Sequence, residues 1–438
     1  MLLLLRASRL SALAAIAVIG HLPQGSSAQT FSPDPGPAIE VNQSQLSALD
    51  RFARGQVRDG QVGNISYGLW QRGALLQSGS YGPVQPQGTS QASDETIYQI
   101  YSMTKPVTAV GMLILYERGY FDIDDPITTV LPEFSDIEVV ADYEEDGQLF
   151  TYLPPNAPTF RQLLSHTVGF AYQSKDRSEV DRRYIALDVA NAPTGDALVS
   201  RVASVPLMRT PGSEWHYSLA SDLQGVVIER LTGETLQTFL KREVFDRLAM
   251  HDTGFFVPDE HQSRVSSIAT LEHGKLTHER PEDLSQSIQE EKYFEGGHGL
   301  VSTVADYHRF LEMLRRGGRT GPIQILRPES VELMTANAIQ YKGTAAPQRG
   351  YGSQSGLGYG FGVSVVENPE VAALSAPKGT HYWYGALGTW FWVDPLNEIV
   401  FVGMIQTRAP VGPDMLAATM ERVNGPIAAQ NRATRSSR

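Results

Sequence analysis

Apolar positions alternate with polar or small ones at Ile65, Tyr67 and Leu69, the period of a half-buried strand. Arg72 and Gly73 then read as a turn, and a second strand runs on to Tyr81, so the pair predicts a hairpin. TIYQIY (96–101) is rich in β-formers and leads directly into Ser102. Beyond Ser102 the period changes. Met103, Val107, Val110, Leu113 and Ile114 follow helical spacing, and Gly119 stands where a helix commonly ends.

From about 150 to 295 the pattern is mostly helical segments and loops. TFRQLLSHTVGF (159–170) reads as a short helix and its exit. ASDLQGVVIERLTGE (220–234) carries Leu223, Val227 and Leu231 on one face and stops at Gly233. STVADYHRFLEML (302–314) starts a further helix, with Thr303 and Asp306 spaced as a capping box. The chain then returns to strands. GTWFWV (388–393) and EIVFVGMIQ (398–406) flank the turn sequence Asp394, Pro395, Leu396 and Asn397, and a last helix falls near 415–423. Strands at both ends around a helical middle predict one sheet built from both termini with a helical insertion. The sheet part takes in about 40–150 and 295–428, and the helical part about 150–295. Residues 429–438, ending NRATRSSR, are expected to be a disordered basic tail.

The first 28 residues stand apart. Arg6 and Arg9 precede an apolar run from Leu10 to Ile19, and Ser26, Ser27 and Ala28 offer a small-residue cleavage site. This resembles a secretory signal peptide, the alternative being an uncleaved membrane anchor. The apolar run is too short to span a bilayer comfortably, so no stable membrane insertion is expected after cleavage. The expected mature chain, 29–438, begins near Gln29, and SPDPGPA (32–38) forms a Pro-rich leader before a single fold. Export to the periplasm or the medium follows as an expectation. The 438 residues include no cysteine, so an exported form must be stabilised by packing and not by disulfides. The formal net charge of −12 argues against a nucleic-acid partner, which would need a basic face.

Candidate chemistry rests on a serine and a lysine three residues apart. Ser102 and Lys105 lie in IYSMTKPVTAV (100–110), and a second pair, Ser375 and Lys378, lies in SAPK. About one such spacing is expected by chance in a chain of average composition, so context must choose. Ser102 sits at a strand-to-helix junction. If it caps the helix, Lys105 lies one turn on along the same face, and Pro106 falls in the first turn, where a missing N–H costs little. The positive end of the helix disfavours a cation, and a neutral lysine accepts a proton from serine. Ser375 has none of this context: Pro377 precedes its lysine, Gly379 follows, and no helical pattern comes next.

SMTK after a strand resembles the S-x-x-K of the serine β-lactamase and penicillin-binding-protein superfamily. LLSHTVG (163–169), VFDRLAMHDTGF (244–255), GGHGLVSTVADYHRFL (296–311) and WYGALGTWFWVDP (383–395) resemble further stretches of that family, in its order, over nearly the whole mature chain. The second of these departs from it at Arg247 and Ala249. PGSEWHYSLASD (211–222) supplies Tyr217 where the family has the tyrosine of Y-x-N, but its third residue is Leu219 in place of Asn. Where class C β-lactamases carry K-T-G, the register against GTWFWVDP places Trp383, Tyr384 and Gly385. Lys378, Gly379 and Thr380 form a decoy a few residues early. W-x-G at this place resembles the esterases of β-lactamase fold, the family VIII carboxylesterases.

The resemblance implies an α/β sandwich of β-lactamase/transpeptidase-like fold: an antiparallel sheet from both chain ends, helices packed on it, and a helical subdomain in the middle. It implies acyl transfer without metal or other cofactor. Ser102 would attack a carbonyl, Lys105 with Tyr217 as phenolate would take the proton, and the backbone N–H groups of Ser102 and Ala386 would hold the oxyanion. Leu219, Trp383, Tyr384 and Gly385 would contact the substrate. Loss of the Asn amide and of the K-T-G lysine points to small-molecule esters over charged, amide-bearing β-lactams. The alternatives are a β-lactamase or D-Ala-D-Ala carboxypeptidase, and a non-catalytic binding protein on the same fold. No G-x-S-x-G elbow or H-E-x-x-H site occurs. His166 is expected to orient a loop; His298 has no assigned role, and the oligomeric state is open.

Overall fold

The computed structural model describes residues 40–436 except 87, 144–146, 173–177, 282–283, 287–292 and 340–355. The signal-like segment, the expected start at Gln29 and the Pro-rich leader lie outside the described residues. The described residues form one compact unit.

Its centre is a seven-stranded antiparallel sheet. The strands are β1 (Ile65–Gln71), β2 (Ala74–Tyr81), β3 (Leu357–Tyr359), β4 (Ser364–Val366), β5 (His381–Tyr384), β6 (Trp390–Asp394) and β7 (Ile399–Met404). Their order is β3-β4-β5-β6-β7-β1-β2, so the N-terminal hairpin adds to the edge of five C-terminal strands, as the two-ended pattern predicts. The turns match their residues. Arg72 and Gly73 both take positive φ, and Asn397 donates from its backbone N and its Nδ2 to the Asp394 carboxylate at 3.0 and 2.7 Å.

β1 is not half-buried. All seven of its residues are buried, because it lies inside the sheet and helices cover both faces. On one face Tyr67, Leu69, Trp390, Trp392 and Phe401 pack with residues of α1 (Gln43–Arg58) and α5 (Gly412–Ser436). On the other, Trp70, Phe391, Val400 and Val402 join the main core with α2 (Thr104–Glu117) and α4 (Val304–Arg315). The strict alternation along β6 and β7 sorts residues into these two cores. α5 is longer than expected and stays helical through most of the expected tail; Ala428, Ala429, Gln430 and Arg432 are good helix formers.

α2 is buried from Thr104 to Leu115, all round rather than on one stripe, which marks a central helix. It packs against α3 (Ala220–Thr232), which ends at Gly233 in the left-handed conformation. The middle region also holds a hairpin, Ile268–Glu272 with Lys275–Glu279, that the helical reading passed over. Thr303 caps α4 by accepting from Asp306 N, but the capping box is not closed. The Asp306 carboxylate instead accepts from Asp252 N at 2.8 Å and from Thr253 Oγ1 at 3.1 Å.

Candidate active site

Ser102 lies in a 3₁₀ turn, Tyr101–Met103, between the short strand Tyr98–Gln99 and the start of α2. Tyr101 takes φ +44°, a left-handed conformation that costs a non-glycine residue about 1 kcal/mol or more. This bend carries the chain from strand to helix. Ser102 is therefore not the helix cap expected of it: Met103 occupies that position without a side-chain hydrogen bond. The Ser102 hydroxyl is left for other partners.

Those partners are Lys105 and Tyr217. Lys105 Nζ lies 3.2 Å from Ser102 Oγ, and the Tyr217 hydroxyl donates to the same oxygen at 2.7 Å. Lys105 is fully buried, and its Nζ also donates to the Gly297 carbonyl at 2.8 Å. Lys105 Nζ also lies over the Tyr217 ring, 4.7 Å from its centroid.

Tyr217 sits among aromatic rings. His166, Tyr172, Trp215 and Trp383 lie with ring centroids 5.1, 5.0, 6.1 and 5.5 Å from its own. Burial pushes its phenol well above the ordinary tyrosine value, and hydrogen bonding by Ser102, Trp383 and Tyr172 offsets only part of this. The expected phenolate is therefore corrected. Desolvation outweighs the hydrogen bonds that would favour the anion, and Tyr217 rests as a protonated donor.

His166 joins the loop that carries Tyr217. Its Nδ1 meets Ser218 N at 3.2 Å and Ser218 Oγ at 3.1 Å, and its carbonyl accepts from His216 N at 2.9 Å. Burial, then Lys105 and His216, pushes the imidazole well below its usual range, so it stays neutral and accepts from the loop amide.

The serine opens into a cavity of about 190 Å³ lined by Tyr172, Tyr217, Trp383, Tyr384, Gly385 and Ala386, with Pro410, Gly412 and Pro413 at the start of α5. No charged side chain lines it among the described residues. Trp383 and Tyr384 come from β5, and Gly385 follows directly. A Cβ on Gly385 would stand 2.4 Å from the Ile100 carbonyl oxygen, so only glycine lets this edge approach the strand before Ser102. Ala386 and Ser102 meet at the same cavity, as two oxyanion donors must.

Leu219 does not meet that cavity. It precedes α3 with its side chain packed in the main core, and the expected substrate contact at this position is not among the residues that line the cavity. The decoy pair is also elsewhere. Ser375 bonds Glu421, and the exposed Lys378 pairs with Glu367 at 3.3 Å. Sequence reasoning missed Tyr172, two residues past the LLSHTVGF stretch, and the Gly297 carbonyl inside GGHG. A larger, open depression of about 820 Å³ lies between Val84, Asp259 and Arg280 and contains none of these groups.

The geometry agrees with comparisons to known proteins. A family model described as Beta-lactamase matches residues 49–423. The chain is 32% identical to Protein Rv1367c of Mycobacterium tuberculosis over 80% of its own length and 87% of the relative's. It is 29% identical to Esterase EstB of Burkholderia gladioli over 81% of its own length and 89% of that protein's. Its fold superposes on EstCE1, a hydrolase with promiscuous acyltransferase activity, with a TM-score of 0.74 and 25% identity, covering 87% of this chain and 99% of that one. With the serine, lysine and tyrosine drawn together on this scaffold, the chain belongs to the beta-lactamase family and is a serine hydrolase of that fold.

Proposed function

We propose that the protein is an exported carboxylesterase that acts on short-chain or small neutral esters through an acyl-enzyme on Ser102. The observation that carries this reading is the position of Ser102 Oγ, held between Lys105 Nζ at 3.2 Å and the Tyr217 hydroxyl at 2.7 Å, on a cavity that no charged side chain lines among the described residues. Ser102 Oγ attacks the ester carbonyl, and Lys105, as the free amine, takes its proton. The carbonyl oxygen becomes an oxyanion and is met by the Ser102 and Ala386 N–H groups, a contribution of roughly 3–4 kcal/mol. Tyr217 gives its proton to the departing alkoxide, and the Lys105 ammonium beside its ring restores it. Water then attacks the acyl-enzyme: Lys105, again a free amine, takes the water proton, Tyr217 gives its proton to the departing Ser102 Oγ, and the ammonium restores it.

The neutral, aromatic lining supports esters over β-lactams. A carboxylate entering this cavity meets Trp383 where a lysine would otherwise pair with it, and a site lacking a needed polar partner discriminates against the substrates that require one. Esterase EstB is so named, and that resemblance supports the same choice. The test compares kcat/KM for a short-chain p-nitrophenyl ester and a chromogenic cephalosporin. A clear excess for the ester is expected. Cephalosporin or penicillin turnover equal to it or above it selects the β-lactamase reading.

Export rests on Arg6, Arg9 and the apolar run from Leu10 to Ile19. N-terminal sequencing of the secreted or periplasmic protein should start near Gln29; retention of Met1 rejects this part.

A further inference from the structure

The Gly297 carbonyl that holds Lys105 is itself held. Thr108 Oγ1 of α2 donates to the Gly296 carbonyl at 2.7 Å, and the Gly297 N–H donates to Asp222 Oδ1 of α3 at 2.9 Å. Lys105 takes the Gly297 carbonyl at 2.8 Å. Three side chains from two buried helices thus fix two successive peptide units. The fit is close, because a Cβ on Gly297 would stand 2.6 Å from Asp222 Oδ2. On the outer side His298 closes the turn: its Nε2 lies 3.1 Å from Glu295 Oε2, and its Nδ1 lies 3.8 Å from Asp222 Oδ1.

A neutral acceptor would satisfy the Gly297 N–H. A carboxylate that is 4% exposed costs more to bury: burial pushes its pKa up, and His298, Lys105 and the Gly297 N–H pull against that in favour of the anion, while Glu295 opposes it. Asp222 does not line the substrate cavity. Lys105 becomes an ammonium as it takes the Ser102 proton, and an anion one peptide away stabilises that charge as it forms. A buried carboxylate does the same for the imidazolium of a Ser-His-Asp triad.

We propose that Asp222 is the positioning residue of Lys105: through the Gly297 peptide it fixes the carbonyl that holds Nζ beside Ser102, and it supplies the counter-charge for the ammonium formed in acylation. This rests on the esterase reading, in which Lys105 is the base. It gives His298 and Glu295 a place as the outer clamp of the same turn.

Asp222→Asn in the full-length enzyme tests it, since the amide oxygen still accepts from Gly297 while the charge is gone. With a short p-nitrophenyl ester, kcat should fall by about tenfold or more, as it does when outer partners of a reactive group are removed. KM should stay within about twofold, because Asp222 is outside the cavity. The acid limb of kcat/KM against pH should move to lower pH, because the lysine ammonium has lost an anion. Asp222→Glu keeps the anion and should leave the limb in place, and it serves as the second variant if the Asn form melts below the assay temperature. A kcat and limb unchanged in Asp222→Asn, or a lost kcat with an unmoved limb, overturns the proposal. Ser102→Ala run in parallel separates the two readings. Activity surviving Ser102→Ala overturns the esterase mechanism and this inference with it; activity lost there, with an unmoved Asp222→Asn profile, overturns this inference alone.

Discussion

The Tyr217 hydroxyl donates to Ser102 Oγ across 2.7 Å, from a phenol that burial keeps protonated. The pair therefore divides the proton work: Lys105 receives the serine proton and Tyr217 supplies one to the leaving group. Tyr217→Phe keeps the ring and its packing against Trp383 and His166 but removes the donor. We expect kcat on a short-chain alkyl ester to fall about 10²–10⁴-fold, the range of general acid–base help, with little change in melting temperature. The loss should be smaller for esters with better leaving groups, which need less protonation. A uniform loss across leaving groups would contradict the acid role.

Trp383 tests the substrate choice. It is 1% exposed on β5 and occupies the cavity wall next to Tyr217. Trp383→Lys introduces a cation where none lines the cavity among the described residues, so the ratio of ester to cephalosporin kcat/KM should narrow. The folded fraction must be measured alongside, because losing a buried Trp costs about 3–5 kcal/mol. If Trp383→Lys leaves the ratio unchanged in folded protein while Lys378→Ala abolishes activity, the register is wrong. The exposed pair of Lys378 with Glu367 gives no reason to expect that.

His298 carries a stability prediction. Burial alone would lower its pKa, but the Glu295 hydrogen bond and the charges of Glu295 and Asp222 raise it above the ordinary imidazole value. A raised folded value means the protein binds this proton more tightly than the unfolded chain does. The associated stability is fully present below about pH 6.5 and is lost as pH rises through the folded value. Thermal melts of His298→Asn against the unmutated protein should differ most near about pH 6 and below, and converge as pH rises through the raised folded value. A gap that widens with rising pH would contradict the assignment.

What the sequence makes legible is local. Gly119 and Gly233 end helices because positive φ favours glycine, and both adopt it. Asp394 and Asn397 build their own turn from side chains three residues apart. The register of Trp383 follows from the paired strands around the same turn. What escaped depends on distant partners. β1 looks half-buried alone, and only the packing of α1 and α4 on opposite faces makes it fully buried. Leu219 sits beside the active tyrosine in sequence, yet core packing decides where its side chain goes. The Asp222 bond to Gly297 spans 75 residues, and no spacing rule reaches that far. Tyr217 carries the same lesson for chemistry: the sequence shows the tyrosine, but only its burial among other rings reveals that desolvation dominates.

The central claim is that Ser102, and not the similarly spaced Ser375, is the nucleophile. Treating the full-length protein with a fluorophosphonate and mapping the adduct by peptide mass spectrometry tests it directly. The account predicts one adduct on the peptide containing Ser102, absent from Ser102→Ala, kept in Ser375→Ala, and formed slower by about 10²–10⁴-fold in Lys105→Ala, where the general base is missing. An adduct that survives Ser102→Ala, or that disappears when Ser375 is replaced, would contradict it.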